Sequence, residues 1–238
     1  MERVSKFIAN SGYASRRKVD ELIKEGKVLV NGDIAQLGQK VSGNDIITID
    51  GKIINSKEKN YLYFLVNKPR GVITTTNDPE GRKIITDLVD CKERIYPIGR
   101  LDYDTTGAIL LTNDGELTHL LSHPKNNIDK TYLAKLEGII DVGAINKLKK
   151  GLKIDNYKTT PSRVKLKKVD KKTNTCLVEI VIHEGHNHQV KKMFEEVGYN
   201  VIRLTRLSFA GLNVKNLKSG EYRSLSLKEV QRLYSLGK

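Results

Sequence analysis

The stretch YPIGRLDYDTTGAILLTNDG, Tyr96 to Gly115, sets Asp102 and Asp104 two residues apart. They stand between Arg100 and the small, turn-prone Thr105, Thr106 and Gly107, just ahead of a strongly apolar run. Acidic side chains repel phosphate, yet the chain has a formal charge of +14 and a pI near 9.6, a balance whose field attracts polyanions such as nucleic acid. An aspartate kept at the centre of such a surface is better explained by chemistry on a base or a sugar than by affinity. Turn capping uses the same residue types at this spacing. Asp104, directly before Thr-Thr-Gly, is placed to cap its own turn, whereas Asp102 follows the Gly-Arg-Leu turn.

Other chemistries lack their residues. There is no G-x-x-x-x-G-K-[ST] loop and no G-x-G-x-x-G after a strand, so no nucleotide cofactor is expected. HEGHNH places His186 three and His188 five residues after His183, not the i, i+4 pair of a zinc-protease helix, and Gly185 interrupts any helix there. No metal is expected either. No G-x-S-x-G elbow suggests acyl transfer. Cys91 and Cys176 are far apart and unpaired in spacing, which fits a reducing cytoplasm. No segment has the ~18 apolar residues of a membrane span, and the N-terminus lacks a signal-peptide core.

The elements that must position these residues fall into two domains. In residues 1–54, Val4, Phe7, Ile8 and Tyr13 recur near helical spacing up to Gly12; SRRKVDELIKEG then opens on Ser15 as N-cap and closes on Gly26. Asn31-Gly32 follows as a hairpin turn. Arg16, Arg17 and Lys18 occupy the first turn of the second helix, where free amides and the helix dipole favour phosphate, although a solvated helix start carries the same charges. INSKEKN, 54–60, reads as a polar linker to a second domain, 61–238. There YLYFLVNKPRGVITTT reads as strand, loop and strand, with Lys68 and Arg70 in the loop. GAILLTNDG and KTYLAKLEG are strands, ELTHLLSHP is a helix stopped by Pro124, and SRVKLKKVDKKTNTCLVEIVI is a hairpin turning near Lys171–Asn174. A helix from about Asn187 to Val197 and a further strand follow; the tail opens on a capping box, Ser226 with Glu229, and a Leu225–Val230 staple. The fold class is α+β, with a mixed, mainly antiparallel sheet and flanking helices.

Two resemblances sharpen this. ANSGYASRRKVDELIKEGKVLVNG resembles the RNA-binding module first recognised in a small-subunit ribosomal protein, over residues 1 to about 50. YPIGRLDYDTTGAILLTNDG, with KPRGV, KTYLAKLEG, HEGHNHQVKKMFEEVGY and RLTRLSFAGL in order, resembles the pseudouridine synthases that act on ribosomal RNA. That family implies a cofactor-free isomerisation of a flipped-out uridine to its C5-glycoside. It implies that Asp102 is the catalytic aspartate, attacking C1′ or removing a sugar proton. Tyr132 would stack on the uracil and assist loss of the C5 proton, and Lys191 would pair with the aspartate and keep it ionised. Arg commonly fills the positions of His186, His188, Lys191 and Lys192, and Lys offers a point charge in place of a fork. Arg16, Arg17, Lys18, Lys68, Arg70, Arg100, His186, His188 and Lys192 are the expected RNA contacts. RIYPIGRLDYDTTG resembles the large-subunit branch of B type, and HQVKKMF the small-subunit branch. The expected partner is ribosomal RNA, of the large subunit, or a pre-ribosomal particle, with no membrane and the enzyme a monomer.

Overall fold

A computed structural model describes residues 1–54 and 60–237, so the linker expected at 54–60 lies almost wholly outside the described residues. The chain forms two compact units, one within Met1–Tyr61 with Lys92–Arg94, the other within Leu62–Cys91 and Ile95–Lys238. In the first, β1 (Glu2–Arg3), α1 (Val4–Asn10) and α2 (Arg16–Lys24) precede β2 (Val28–Val30), β3 (Asp33–Ile34), β4 (Lys40–Val41), β5 (Ile47–Ile49) and β6 (Lys52–Ile53). Ser15 caps α2 by accepting from the Lys18 amide at 3.2 Å. Asn31 and Gly32 both take positive φ and turn β2 into β3, as a two-residue hairpin requires. Val4, Ile8, Val19, Val28, Ile47 and Ile49 lie in its core.

The second unit contains, in chain order, β7 (Tyr63–Lys68), β8 (Tyr96–Pro97), β9 (Thr106–Thr112), α3 (Gly115–Ser122), β10 (Lys130–Glu137), α4 (Val142–Lys150), β11 (Lys153–Ile154) and β12 (Tyr157–Lys158). There follow β13 (Arg163–Asp170), β14 (Thr175–Ile182), α5 (Gln189–Glu196), β15 (Val201–Phe209), β16 (Leu212–Asn213), β17 (Tyr222–Ser224) and α6 (Leu227–Ser235). Its main sheet runs β13-β14-β10-β15-β9-β7-β17. Along this path only β15 and β9 pair in parallel. Alternation decides the faces. Val66, Ile109, Leu204, Ala134 and Val178 point to one core, which receives Val190, Met193 and Phe194 of α5. Leu65, Ala108 and Leu110 point the other way, to a second core with Leu117 and Leu121 of α3 and Leu233 of α6. The capping box of α6 is formed, the Ser226 amide donating to Glu229 at 2.8 Å.

One segment differs from expectation. The strand expected after Lys68-Pro69-Arg70-Gly71 is a single parallel bridge, Ile73 to Ile84. Thr74 spends its hydroxyl on Leu101 instead, donating to the carbonyl at 2.7 Å and accepting from the amide at 3.2 Å. The chain therefore ties down the residue before Asp102 rather than extending the sheet. Helix α4 is capped by Asp141, which accepts from the Ala144 amide at 2.8 Å, and it buries Ala144 and Leu148.

Candidate active site

Register aligns Ile180, Tyr132, Arg206, Gly107 and Lys68 in one row across β14, β10, β15, β9 and β7. Directly opposed residues share a face, so Lys68, Arg206 and Tyr132 continue the α5-facing core to a polar end. Gly107, φ +107, is obligatory in that row: a Cβ there would stand 2.1 Å from the Arg206 carbonyl oxygen. The parallel β9–β15 junction thus closes tightly, just after the loop that carries the two aspartates.

Lys68 is fully buried, which corrects its placement among the RNA contacts. Its ammonium donates to the carbonyls of Thr105 at 2.9 Å, Pro69 at 3.1 Å and Tyr103 at 3.4 Å. The reason is positional: Phe64, Val66 and Lys68 alternate onto one face of β7, and at its end the loop offers carbonyls instead of water. Burial pushes this ammonium down to about 8, against the opposing pull of Asp104 and Asp102. A cation buried beneath the loop both shapes it and supplies positive potential behind its carboxylates.

The loop bends with the Thr105 amide donating to the Asp102 carbonyl at 3.1 Å. The two side chains then part company. Asp104 Oδ1 accepts from Lys191 Nζ at 2.6 Å, and that bond holds its carboxyl below the usual carboxylate range. Asp102 is a third exposed, with Lys191 Nζ 3.8 Å from Oδ2 and His188 Nε2 3.5 Å from Oδ1. Lys191 therefore straddles both carboxylates and lies nearer Asp104, not Asp102 as its expected role implied. His188, at φ +53, is the residue that starts α5, so the helix delivers His188 and Lys191 to the loop from one turn.

Tyr132 is 8 % exposed and lies within the core face of β10. Its neighbour in the row, Arg206, is 2 % exposed; Nε donates to the Ala108 carbonyl at 2.6 Å, the guanidinium lies 4.9 Å from the Phe209 ring, and Nη2 has no partner among the described residues. Lys130 Nζ donates to the His183 and Ile128 carbonyls, and burial pushes it down to about 8. Neither Arg206 nor Lys130 was singled out from the sequence. The available signal was a cation at an inward position of an apolar alternation, in RLTRLSF and KTYLAKL.

The remaining expected contacts scatter. Arg16, Arg17 and Lys18 are exposed on the first turn of α2, with Lys18 also 3.0 Å from Glu21. Arg70 and Arg100 are exposed near the aspartate loop. His186 stacks on Tyr157 at 3.9 Å, and Lys192 pairs with Asp155 at 2.5 Å, so both tether α5 to the β11–β12 hairpin. Among the described residues no group of three or more His, Cys, Asp or Glu could hold a metal, and no helix is long and apolar enough to cross a membrane.

Comparison with known proteins identifies the family. The family model "RNA pseudouridylate synthase" matches residues 62–196 and an S4 domain model matches residues 2–47. The chain is 50% identical over 99% of its length to "Ribosomal large subunit pseudouridine synthase B" of Bacillus subtilis, covering 97% of that protein. It is 34% identical to "Dual-specificity RNA pseudouridine synthase RluF" of Salmonella typhi, over 98% of this chain and 79% of that one. A solved structure described as "Crystal structure of pseudouridylate synthase" superposes with a TM-score of 0.70 at 30% identity, covering 98% of this chain and all of the other. The matched region runs from the first sheet strand through α5, the same elements that bring Asp102, Tyr132 and Lys191 to one end of the sheet, and the chain belongs to the RNA pseudouridylate synthase family.

Proposed function

We propose that this enzyme converts a uridine of large-subunit ribosomal RNA to pseudouridine, with Asp102 as the reacting carboxylate and without a cofactor. The observation that carries the assignment is the contrast between the two aspartates. Asp104 is engaged by a short charged hydrogen bond, whereas Asp102 accepts no backbone hydrogen bond among the described residues and has His188 Nε2 at 3.5 Å and Lys191 Nζ at 3.8 Å. A carboxylate close to a lysine ammonium and an imidazole, but hydrogen-bonded by neither, keeps its oxygens free to react.

The target nucleotide leaves the RNA stack to reach this site. Asp102 attacks C1′ or takes a proton from the sugar; the N1–C1′ bond breaks, the uracil turns, and C5 bonds to C1′ as the bond from Asp102 to C1′ breaks or the sugar proton is returned. N1 gains a proton and C5 loses one, so the change is an isomerisation that needs no oxidant. Lys191 and the buried Lys68 and Arg206 supply the positive potential, a fixed field that water need not reorganise to provide. Tyr132, an aromatic on the same face, packs on the uracil and helps the C5 proton leave. The large-subunit substrate is carried by the name of the Bacillus subtilis relative.

Single-turnover isomerisation on a ribosomal RNA transcript tests the assignment. Asp102→Asn keeps the shape and removes the charge, so RNA binding persists and the rate falls by several orders of magnitude. Asp104→Asn leaves the reacting carboxylate in place and stays within about tenfold of wild type. Substantial activity in Asp102→Asn with a dead Asp104→Asn reverses the two roles. Mapping pseudouridine in ribosomal RNA from cells lacking the enzyme identifies the subunit, and a loss confined to the small-subunit RNA refutes the substrate.

A further inference from the structure

The positive charge of this protein is not concentrated in its front module. Residues 1–54 hold nine Lys and Arg against seven Asp and Glu, whereas Lys147–Lys172 holds eleven against two, a net of nine out of the fourteen charges in the whole chain. Much of that excess lies on or beside β13, at one edge of the main sheet.

The sheet face opposite the active site is unequally covered. Over β7 and β9 it is closed by the core that includes α3 and α6. Over β13, β14, β10 and β15 the inward residues Val164, Val178, Ala134 and Leu204 are buried, but the reverse-face residues Leu177, Glu179, Val181, Thr131, Leu133 and Lys135 are only half-buried. Register brings Lys168, Leu177, Lys135 and Arg203 into one row of that face, with Lys165, Glu179, Leu133 and Thr205 in the next.

This row carries a like-charge opposition. Lys135 stands directly across from Arg203, an arrangement that weakens a sheet. Lys135, Lys165, Lys168 and Arg203 form no ion pair among the described residues, and the three acids that register puts on this face are engaged elsewhere: Glu179 pairs with Lys167 at 3.5 Å, Glu137 accepts from the Asn200 side chain, and Asp170 accepts from the Lys172 and Thr173 amides. Lysines on an exposed edge strand guard against unwanted pairing, which accounts for those of β13. It does not account for Lys135, which is paired on both sides, to Leu177 and to Arg203.

We infer that the reverse face of β13, β14, β10 and β15 is a second RNA-docking surface, gripping the phosphate backbone of a ribosomal RNA segment through Lys135, Lys165, Lys168 and Arg203. Lys168 and Arg203 lie three strands apart, about 14 Å, a span that follows several phosphates. Bound phosphate relieves the Lys135–Arg203 opposition, while Leu133, Leu177 and Val181 sit beneath the aliphatic stems of the cations. The inference rests on RNA being the substrate, and it places RNA on both sides of the sheet: the reacting nucleotide at Asp102, and a distant segment behind.

The test uses the full chain and an in-vitro transcript of large-subunit ribosomal RNA. Lys135, Lys165, Lys168 and Arg203 are together changed to Gln, and a control changes Lys125, Lys215, Lys218 and Lys228, exposed lysines elsewhere, to Gln. Each lost phosphate contact flattens the plot of log affinity against log salt by about 0.7. The face variant therefore becomes shallower by about 2–3 and binds at least tenfold more weakly at low salt. The control barely moves. Turnover of the face variant at saturating RNA equals wild type, because Asp102 and Lys191 are untouched; the charge-preserving set Lys135→Arg, Lys165→Arg, Lys168→Arg and Arg203→Lys binds as wild type and shows that the face tolerates substitution. Equal slopes for the face variant and the control, or wild-type slope in the face variant, overturn the inference. Competition by polyglutamate at lower concentration than by RNA also overturns it, in favour of an acidic protein partner. Pseudouridine formation by the wild type on the same transcript is read separately, so an inactive wild type with a shifted slope refutes the proposed activity and leaves the docking surface standing.

Discussion

Replacing Lys68 by Met isolates the buried cation under the aspartate loop. Burial lowers this ammonium from 10.5 to about 8, so in the folded state it costs about 3 kcal/mol, at 1.36 kcal/mol per unit, wherever both states are protonated. Met removes that cost but strands the carbonyls of Thr105, Pro69 and Tyr103, at about 1–3 kcal/mol for each one that stays dry. At pH 7 these changes oppose one another, and the net stability difference is small or moderately unfavourable. The pH dependence separates them. Between about pH 8 and 10.5 the unfolded lysine is still protonated while the folded one is not; the unfolded state binds more protons, and wild-type stability rises with pH. Lys130, also pushed down to about 8, contributes the same slope to both proteins and cancels in their difference. Denaturant titrations from pH 7 to 10 are expected to show wild type gaining about 2–3 kcal/mol relative to Lys68→Met. Activity moves oppositely. A neutral amine has two N–H groups for three carbonyls, so the wild-type rate falls above about pH 8, while Lys68→Met is slow throughout and lacks that limb. Parallel stability curves for the two proteins would refute the view of Lys68 as a buried charged anchor.

Gly107→Ala drives a Cβ to within 2.1 Å of the Arg206 carbonyl at φ +107; it is expected to cost more than about 4 kcal/mol and to lower the melting temperature by about 10 °C, and a calorimetric scan matching wild type would refute the tight β9–β15 junction. Changing Arg16, Arg17 and Lys18 to Ala is expected to weaken RNA binding and flatten its salt dependence by about 0.7 per contact, with turnover at saturating RNA preserved; an unchanged slope would mean that the front module docks by another face. Isomerisation is expected to survive exhaustive chelation and dialysis, and loss restored only by zinc would refute a cofactor-free site.

Much of the local structure was legible in the chain. Ser15 ahead of a basic helix, Asn31-Gly32 between two short apolar runs, and Ser226 with Glu229 are short-range devices whose geometry is complete within a few residues, and the structure forms each of them. The alternation in LVEIVI and YLAKLE likewise dictates which side chains are buried, because strand periodicity is a backbone property. The segment GAILLTNDG reads as a strand for a different reason, a continuous apolar run that ends in a turn, and the structure buries it on both faces. The failures are the places where a distant partner decides. Lys68 reads as a loop cation, and only the end of β7 meeting the 103–105 carbonyls turns it into a buried anchor. The segment after Gly71 has strand composition, but Thr74 finds Leu101, 27 residues on. Asp102 and Asp104 are near-equivalent in sequence; what distinguishes them is a lysine 87 residues further along, brought by α5 to 2.6 Å from one and 3.8 Å from the other. Sequence spacing sets the types and local angles of these residues, whereas charge pairing falls off with distance in space, and that distance exists only once the sheet has assembled.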